Sequence, residues 1–369
     1  MHRRPLLLGL GSLPVLALPC MAAEGAAVSS ARSLAFPRDF GAHPETRTEW
    51  WYATGWLESD LAAASVARPI YGFQVTFFRS RTTVDAAHPS RFAASQLIFA
   101  HAALTDLKQG RLRHDQRIAR SGFGIASADV ADTAVALRDW RLQREGSVVS
   151  SRYLAKVASD RAGFGFDLQL ASTQAVLLQG VQGFSRKGPE AEQASHYYSQ
   201  PQLAVSGTLT LDGQAQPVRG RAWLDHEWSD SLLDRNAVGW DWIGMNLADG
   251  SALTAFRLRR ADGSMLYAGG SFRPAGGTAR NFAADEVRFT SGRTWLSPNS
   301  RANYPVQWTL QTPAGSFVVK ALLDDQELDS RASTGAIYWE GLAELLDAQG
   351  RPLGHGYLEM TGYASPLRL

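Results

Sequence analysis

Residues Gly207–Trp228 read "GTLTLDGQAQPVRGRAWLDHEW". Apolar and polar residues alternate up to Asp212-Gly213 and resume after it. Asp-Gly between alternating runs is a strong short-range hairpin signal, because the tight turn that suits twisted strands needs positive φ at its centre. Met245–Phe272, "MNLADGSALTAFRLRRADGSMLYAGGSF", repeats the device at Asp249-Gly250 and Asp262-Gly263. Further out, "TEWWYATGWLES", "PIYGFQVTFFRS", "ASQLIFAHAALTDL", "TAVALRDWRLQ" and "SVVSSRYLAKVAS" are short β-branched or aromatic runs, punctuated by Gly, Asp and Ser. No long stretch carries helical periodicity, and "ALLDDQELDS" holds a turn or two at most. Many short strands at regular spacing predict an all-β chain, an antiparallel sandwich or barrel.

The strands repeat. "EWWYATGWL" (Glu49–Leu57) and "GWDWIGMNL" (Gly239–Leu247) are similar, and each precedes a strand closing on arginine, "YGFQVTFFR" and "SALTAFRLR". The opening stretch likewise resembles "GLAELLDAQGRPLGHGYLEMTGY", which begins at Gly341. Two related all-β units are expected, over residues 36–230 and 237–369, joined through the polar "SDSLLDRNA".

A chain of 369 residues accommodates two such units, and 45% hydrophobic with 20% charged residues excludes a disordered protein. A net charge of +2 without a Lys/Arg block gives no reason to expect nucleic acid. Arg3 and Arg4, the apolar "PLLLGLGSLPVLALP" and then Ala22 and Ala23 predict an export signal over residues 1–23, of a type that suits the twin-arginine route. A periplasmic or secreted protein is therefore expected. No later apolar run is long enough for a transmembrane span. The single cysteine, Cys20, lies in the leader, which excludes disulfides and thiol chemistry from the exported chain. No H-E-x-x-H, G-x-S-x-G or phosphate loop occurs, so neither a metal nor a cofactor is expected.

Of eleven tryptophans, seven cluster at Trp50–Trp56 and Trp223–Trp242, and Asp225, His226, Glu227 and Asp241 sit among them. Strand alternation puts Leu224, His226 and Trp228 on one face, with Trp223, Asp225 and Glu227 on the other. The repeat matches Trp223, Leu224 and Asp225 with Tyr357, Leu358 and Glu359 but matches His226 with Met360, which singles out His226. His226 with Trp228, and Asp241 on the next strand, form the more coherent candidate site. A carboxyl group walled by indole has a raised pKa and serves as a general acid, and the ring faces stabilise a developing cation. Such a site could protonate an alkene and add water. The residues alone leave a second reading open, in which His226 makes a core hydrogen bond and Asp241 caps a turn.

"HPETRTEWWYATGWL", "GRAWLDHEWSD", "GWDWIGMNLADG" and "YWEGLAELLDAQGRPLGHGYLEMTGY" resemble the secreted two-domain lipocalin-like family that includes the AttH proteins and carotenoid 1,2-hydratase (hydroxyneurosporene synthase). The resemblance implies two tandem lipocalin-like antiparallel β-barrels with a hydrophobic cavity. For the hydratase branch it implies cofactor-independent addition of water to an isoprenoid double bond. His226 and Trp228 then stand in the "HEW" motif and Asp241 is the proton donor, while Trp228, Trp240, Trp51 and Tyr52 are the expected ligand-binding residues. For the AttH branch it implies an exported protein that carries a lipid or other hydrophobe and works with an ABC transporter of the cell envelope. A secreted hydrolase is the third alternative.

Overall fold

The computed structural model describes residues 32–59, 69–85 and 87–367, so the predicted export signal lies outside the described residues. Apart from two single-turn 3-10 helices, Arg38–Phe40 and Ala284–Glu286, every regular element among them is a strand. The opening stretch folds as its pattern requires. Ala194–Leu211 and Gln214–Ser229 pair antiparallel down to Leu211 opposite Gln214, and Asp212 and Gly213 take φ of 47° and 80° in the turn.

Two antiparallel sheets follow one plan. In the first, Thr48–Ser59 lies between Tyr71–Arg81 and Gln214–Ser229, and Gln96–Asp106 and Arg111–Arg120 continue the meander. In the second, Gly239–Leu247 holds the same place between Ala252–Arg259 and Pro352–Met360. Each sheet curls round its own core as a lipocalin-like barrel. Trp51, Phe73, Phe77, Tyr153, Phe166 and Leu224 fill the first, and Ile243, Met245, Trp308, Val319, Trp339 and Leu358 fill the second. Small barrels are commonly packed with side chains in this way, which leaves little room inside for a ligand.

The barrels meet along the outer faces of these middle strands, where Tyr52, Trp223, Trp242, Phe256, Leu342 and Tyr357 form a third apolar cluster. Gly72 permits the approach: a Cβ there would lie 2.7 Å from the Tyr357 hydroxyl and 2.9 Å from Leu342 Cβ. Hydrogen bonds cross the seam as well. Gln202 of the first barrel donates to Asn246 Oδ1 (2.8 Å) and to the Leu247 and Ser251 carbonyls (2.9 and 2.8 Å), and Thr105 donates to Gln326 (2.7 Å). Polar groups in a seam that excludes water need such partners, since leaving them unpaired is costly. No helix among the described residues is long and apolar enough to cross a membrane.

Candidate active site

The cavity of interest is a cleft between the barrels, about 320 Å³ in volume, within the range of small-molecule sites. Strand register sets its walls. Across the first barrel's outer face stand His101, Thr76, Tyr52, Asp225 and Ser199 in one row, with Phe99, Phe78, Trp50, Glu227 and Tyr197 two residues along. The second barrel presents Phe256, Trp242, Glu359 and Glu340 in one row, and Leu258 beside Trp240 in the next. Each wall therefore brings two carboxyl groups into aromatic surroundings.

Those four groups are not alike. Glu227 pairs with the Lys187 ammonium at 2.9 Å and accepts a hydrogen bond from Ser195. The same ammonium lies over the rings of Phe256 (4.3 Å) and Tyr197 (4.6 Å). Asp225 accepts from the Trp223 indole (2.6 Å), Ser199 (2.6 Å) and the Tyr197 hydroxyl (2.7 Å), yet burial pushes it up to about 7. Glu340 and Glu359 stand directly opposite each other on neighbouring strands. Burial first, then the charges of Asp225 and Glu227, push Glu359 up to about 7, and burial with the charge of Glu359 holds Glu340 well above the carboxylate range. Like charges placed so close in an apolar wall resist ionising together, so the pair retains a proton near neutrality. The Tyr52 hydroxyl of the opposite wall stands beside the Glu340 carboxyl group and offsets part of that rise. At the far end of the wall, His101 contacts the Tyr338 hydroxyl through Nδ1 and Ser333 Oγ through Nε2, both at 2.8 Å, and burial pushes it down to about 3.

Tyr52 and Trp240, two of the residues expected to bind a ligand, line the cleft. His226, Trp228 and Trp51 do not; they point into the first barrel. His226 Nε2 lies 2.9 Å from Glu49 Oε1, its Nδ1 lies 3.1 Å from the Tyr198 hydroxyl, and its ring stacks on Trp51. Burial pushes it down to about 4, so it is neutral. Glu49 also meets His43 Nδ1 (2.8 Å) and Arg79 Nε (2.7 Å), and His43 Nε2 meets Asp39 (3.0 Å) while its ring stacks on Trp228 at 3.7 Å. Burial opposes both charges, but the two imidazoles hold Glu49 below its usual range, and Asp39 and Glu49 hold His43 above its own. His43, Glu49 and His226 offer ligand atoms within 4.8 Å of one another. With Arg79 occupying the other Glu49 oxygen, they make a closed ion network that ties residues 39–46 across the barrel.

Asp241 points into the second barrel, where it accepts from Arg257 Nε (2.7 Å) and the Tyr363 hydroxyl (2.9 Å) and pairs with Arg259 (3.0 Å). The structure thus does not bring His226 and Asp241 together. The alternation along each strand holds; the face that meets the cleft is the opposite one. One signal for the cleft residues was present in the repeat, which matches Asp225 with Glu359, Trp50 with Trp240 and Tyr52 with Trp242.

A family model described as AttH-like matches residues 27–363. The chain belongs to the AttH-like family. The crystal structure of an AttH-type protein of Nitrosomonas europaea (NE1406) is 47% identical to this AttH-like chain, with a TM-score of 0.83 over 92% of this chain and 99% of that one. Kievitone hydratase of Nectria haematococca shares the fold at 15% identity (TM-score 0.67, 93% and 97% of the two chains). So does CghA with Sch210972, at 13% identity (TM-score 0.51, 86% and 89%). No curated protein matches the chain. The AttH-like match takes in both walls of the cleft.

Proposed function

We propose that the cleft binds an apolar small molecule, of isoprenoid or lipid type, and hydrates it by acid catalysis. The observation that carries this reading is the Glu340–Glu359 pair, a proton held near neutrality in a wall of aromatic rings. The step balances without a cofactor. The pair gives its proton to one alkene carbon, water attacks the other, and the proton that water sheds restores the acid, with Asp225 on the opposite wall as a second acceptor. Trp50, Tyr52, Trp240 and Trp242 present the π-systems that stabilise a carbocation. The shared fold with a protein named as a hydratase supports the same reading. Export by the leader, to the periplasm or beyond, belongs to it too.

A carrier that hands the molecule to an envelope ABC transporter would use the same aromatic walls and leave the carboxyl pair idle. Native mass spectrometry of protein from its own cells identifies the retained hydrophobe, which is then incubated with the protein in H₂¹⁸O. A hydratase incorporates one labelled oxygen, and Glu359→Gln abolishes incorporation while the molecule stays bound. Retention without incorporation in the unaltered protein refutes the catalytic reading and leaves the carrier.

A further inference from the structure

The cleft wall does not stop at the cleft. Its apolar row runs Trp50, Phe78, Phe99 and Ile118 across four adjacent strands, and Ile118, on Arg111–Arg120, is 41% exposed. Two residues further along the same face of that strand is Arg120, whose guanidinium lies 4.0 Å from the centre of the Phe123 ring and 5.4 Å from that of Phe92. Phe92 is 75% exposed and Phe123 49%, and their rings stack at 5.6 Å. Phe92 sits in the connection before Gln96–Asp106 and Phe123 in the turn after Arg111–Arg120, so both cap one end of the sheet. Phe123 holds φ at 58°, a costly conformation for a bulky residue. Arg91 reaches over the same ring at 6.0 Å, and the hydrogen bond that Arg120 makes is to the Arg91 carbonyl, not to a carboxylate.

Exposed aromatic rings on loop tips beside guanidinium groups that pair with no carboxylate among the described residues suit an interface that is apolar beneath and anionic above. We propose that this end of the first barrel docks on an anionic phospholipid bilayer, with Phe92 and Phe123 entering the headgroup region and Arg91 and Arg120 meeting phosphates. The apolar row then forms a path from the bilayer to the cleft. The docking goes beyond the reaction proposed for the cleft and stands without it.

The test is co-sedimentation of protein purified from its own cells with vesicles of equal phosphatidylglycerol and phosphatidylcholine, and with phosphatidylcholine alone. The mixed vesicles bind the protein, and raising the salt from about 0.05 to 0.5 M weakens binding because the phosphate contacts are screened. Phe92→Ser with Phe123→Ser lowers the affinity by about tenfold or more, the loss expected for two buried rings. Arg91→Gln with Arg120→Gln removes the preference for the anionic lipid. Trp50→Ala, in the cleft, sediments as the unaltered protein does, so a failure of the cleft reading leaves this result standing. Circular dichroism confirms that each variant is folded. Absence of binding to the mixed vesicles overturns the proposal, and so does equal binding by the Phe variant. A dimer in ultracentrifugation that the Phe variant abolishes, without vesicle binding, assigns the patch to a second copy instead.

Discussion

Replacing Glu359 by glutamine tests the carboxyl pair without needing a substrate. Burial carries this group from 4.5 to about 7, which corresponds to about 3 kcal/mol. The unfolded chain releases the proton above pH 4.5, whereas the folded protein keeps it until about pH 7. The folded state is therefore favoured by this group below pH 4.5, loses that advantage as the pH rises through 7, and changes no further above. Glutamine matches the protonated form in shape and cannot ionise, so the loss disappears in Glu359→Gln. Because Glu340 faces it, the measured difference belongs to the pair. Denaturant unfolding followed by tryptophan fluorescence at pH 4, 5, 6, 7 and 8 gives the stability of both proteins. They are expected to be nearly equal at pH 4, and the variant gains about 3 kcal/mol on the unaltered protein by pH 8. A difference that stays flat from pH 4 to 8, or a variant that weakens as the pH rises, refutes the argument that this wall stores a proton.

Three further substitutions separate structural charges from cleft chemistry. Asp241→Asn leaves Arg257 and Arg259 without their buried anion, so thermal unfolding should show a loss of about 3–5 kcal/mol while retention of the hydrophobe proposed for the cleft is unchanged. Glu49→Gln breaks the network with Arg79, His43 and His226 and should cost about as much at pH 7. Since Glu49 is held below its usual range, its contribution is present above pH 4.5 and lost as the pH falls below it, and acid titration of the variant should lack that limb. Trp240→Ala removes a half-buried cleft wall and should weaken retention of the hydrophobe at least tenfold in native mass spectrometry, with the unfolding midpoint little moved.

The fold is legible because its signals are local. Asp212-Gly213 dictates a turn, alternation on either side dictates strands, and both act within a few residues of where they are written. Alternation also sorted the candidate site correctly, with Trp223, Asp225 and Glu227 on one face and Leu224, His226 and Trp228 on the other. What it cannot label is which face meets the partner barrel. A strand buried on both sides is apolar on both, as Trp51 and Tyr52 show in one barrel and Ile243 and Trp242 in the other, so hydropathy does not tell interior from seam. His226 drew attention because the repeat replaces it with Met360, but the difference marks how each barrel interior is filled. The counter-ions draw the distinction that hydropathy misses. Both barrels carry a strand that closes on arginine, and these residues, Arg79 and Arg259, take an inward carboxylate, Glu49 in the first barrel and Asp241 in the second. An acid matched to an interior arginine is a structural ion, its charge balanced inside the barrel. Glu340 and Glu359 pair with no arginine or lysine among the described residues and face each other instead, so the carboxyl groups whose protonated form burial favours lie on an outer face, where the two copies of one strand plan meet.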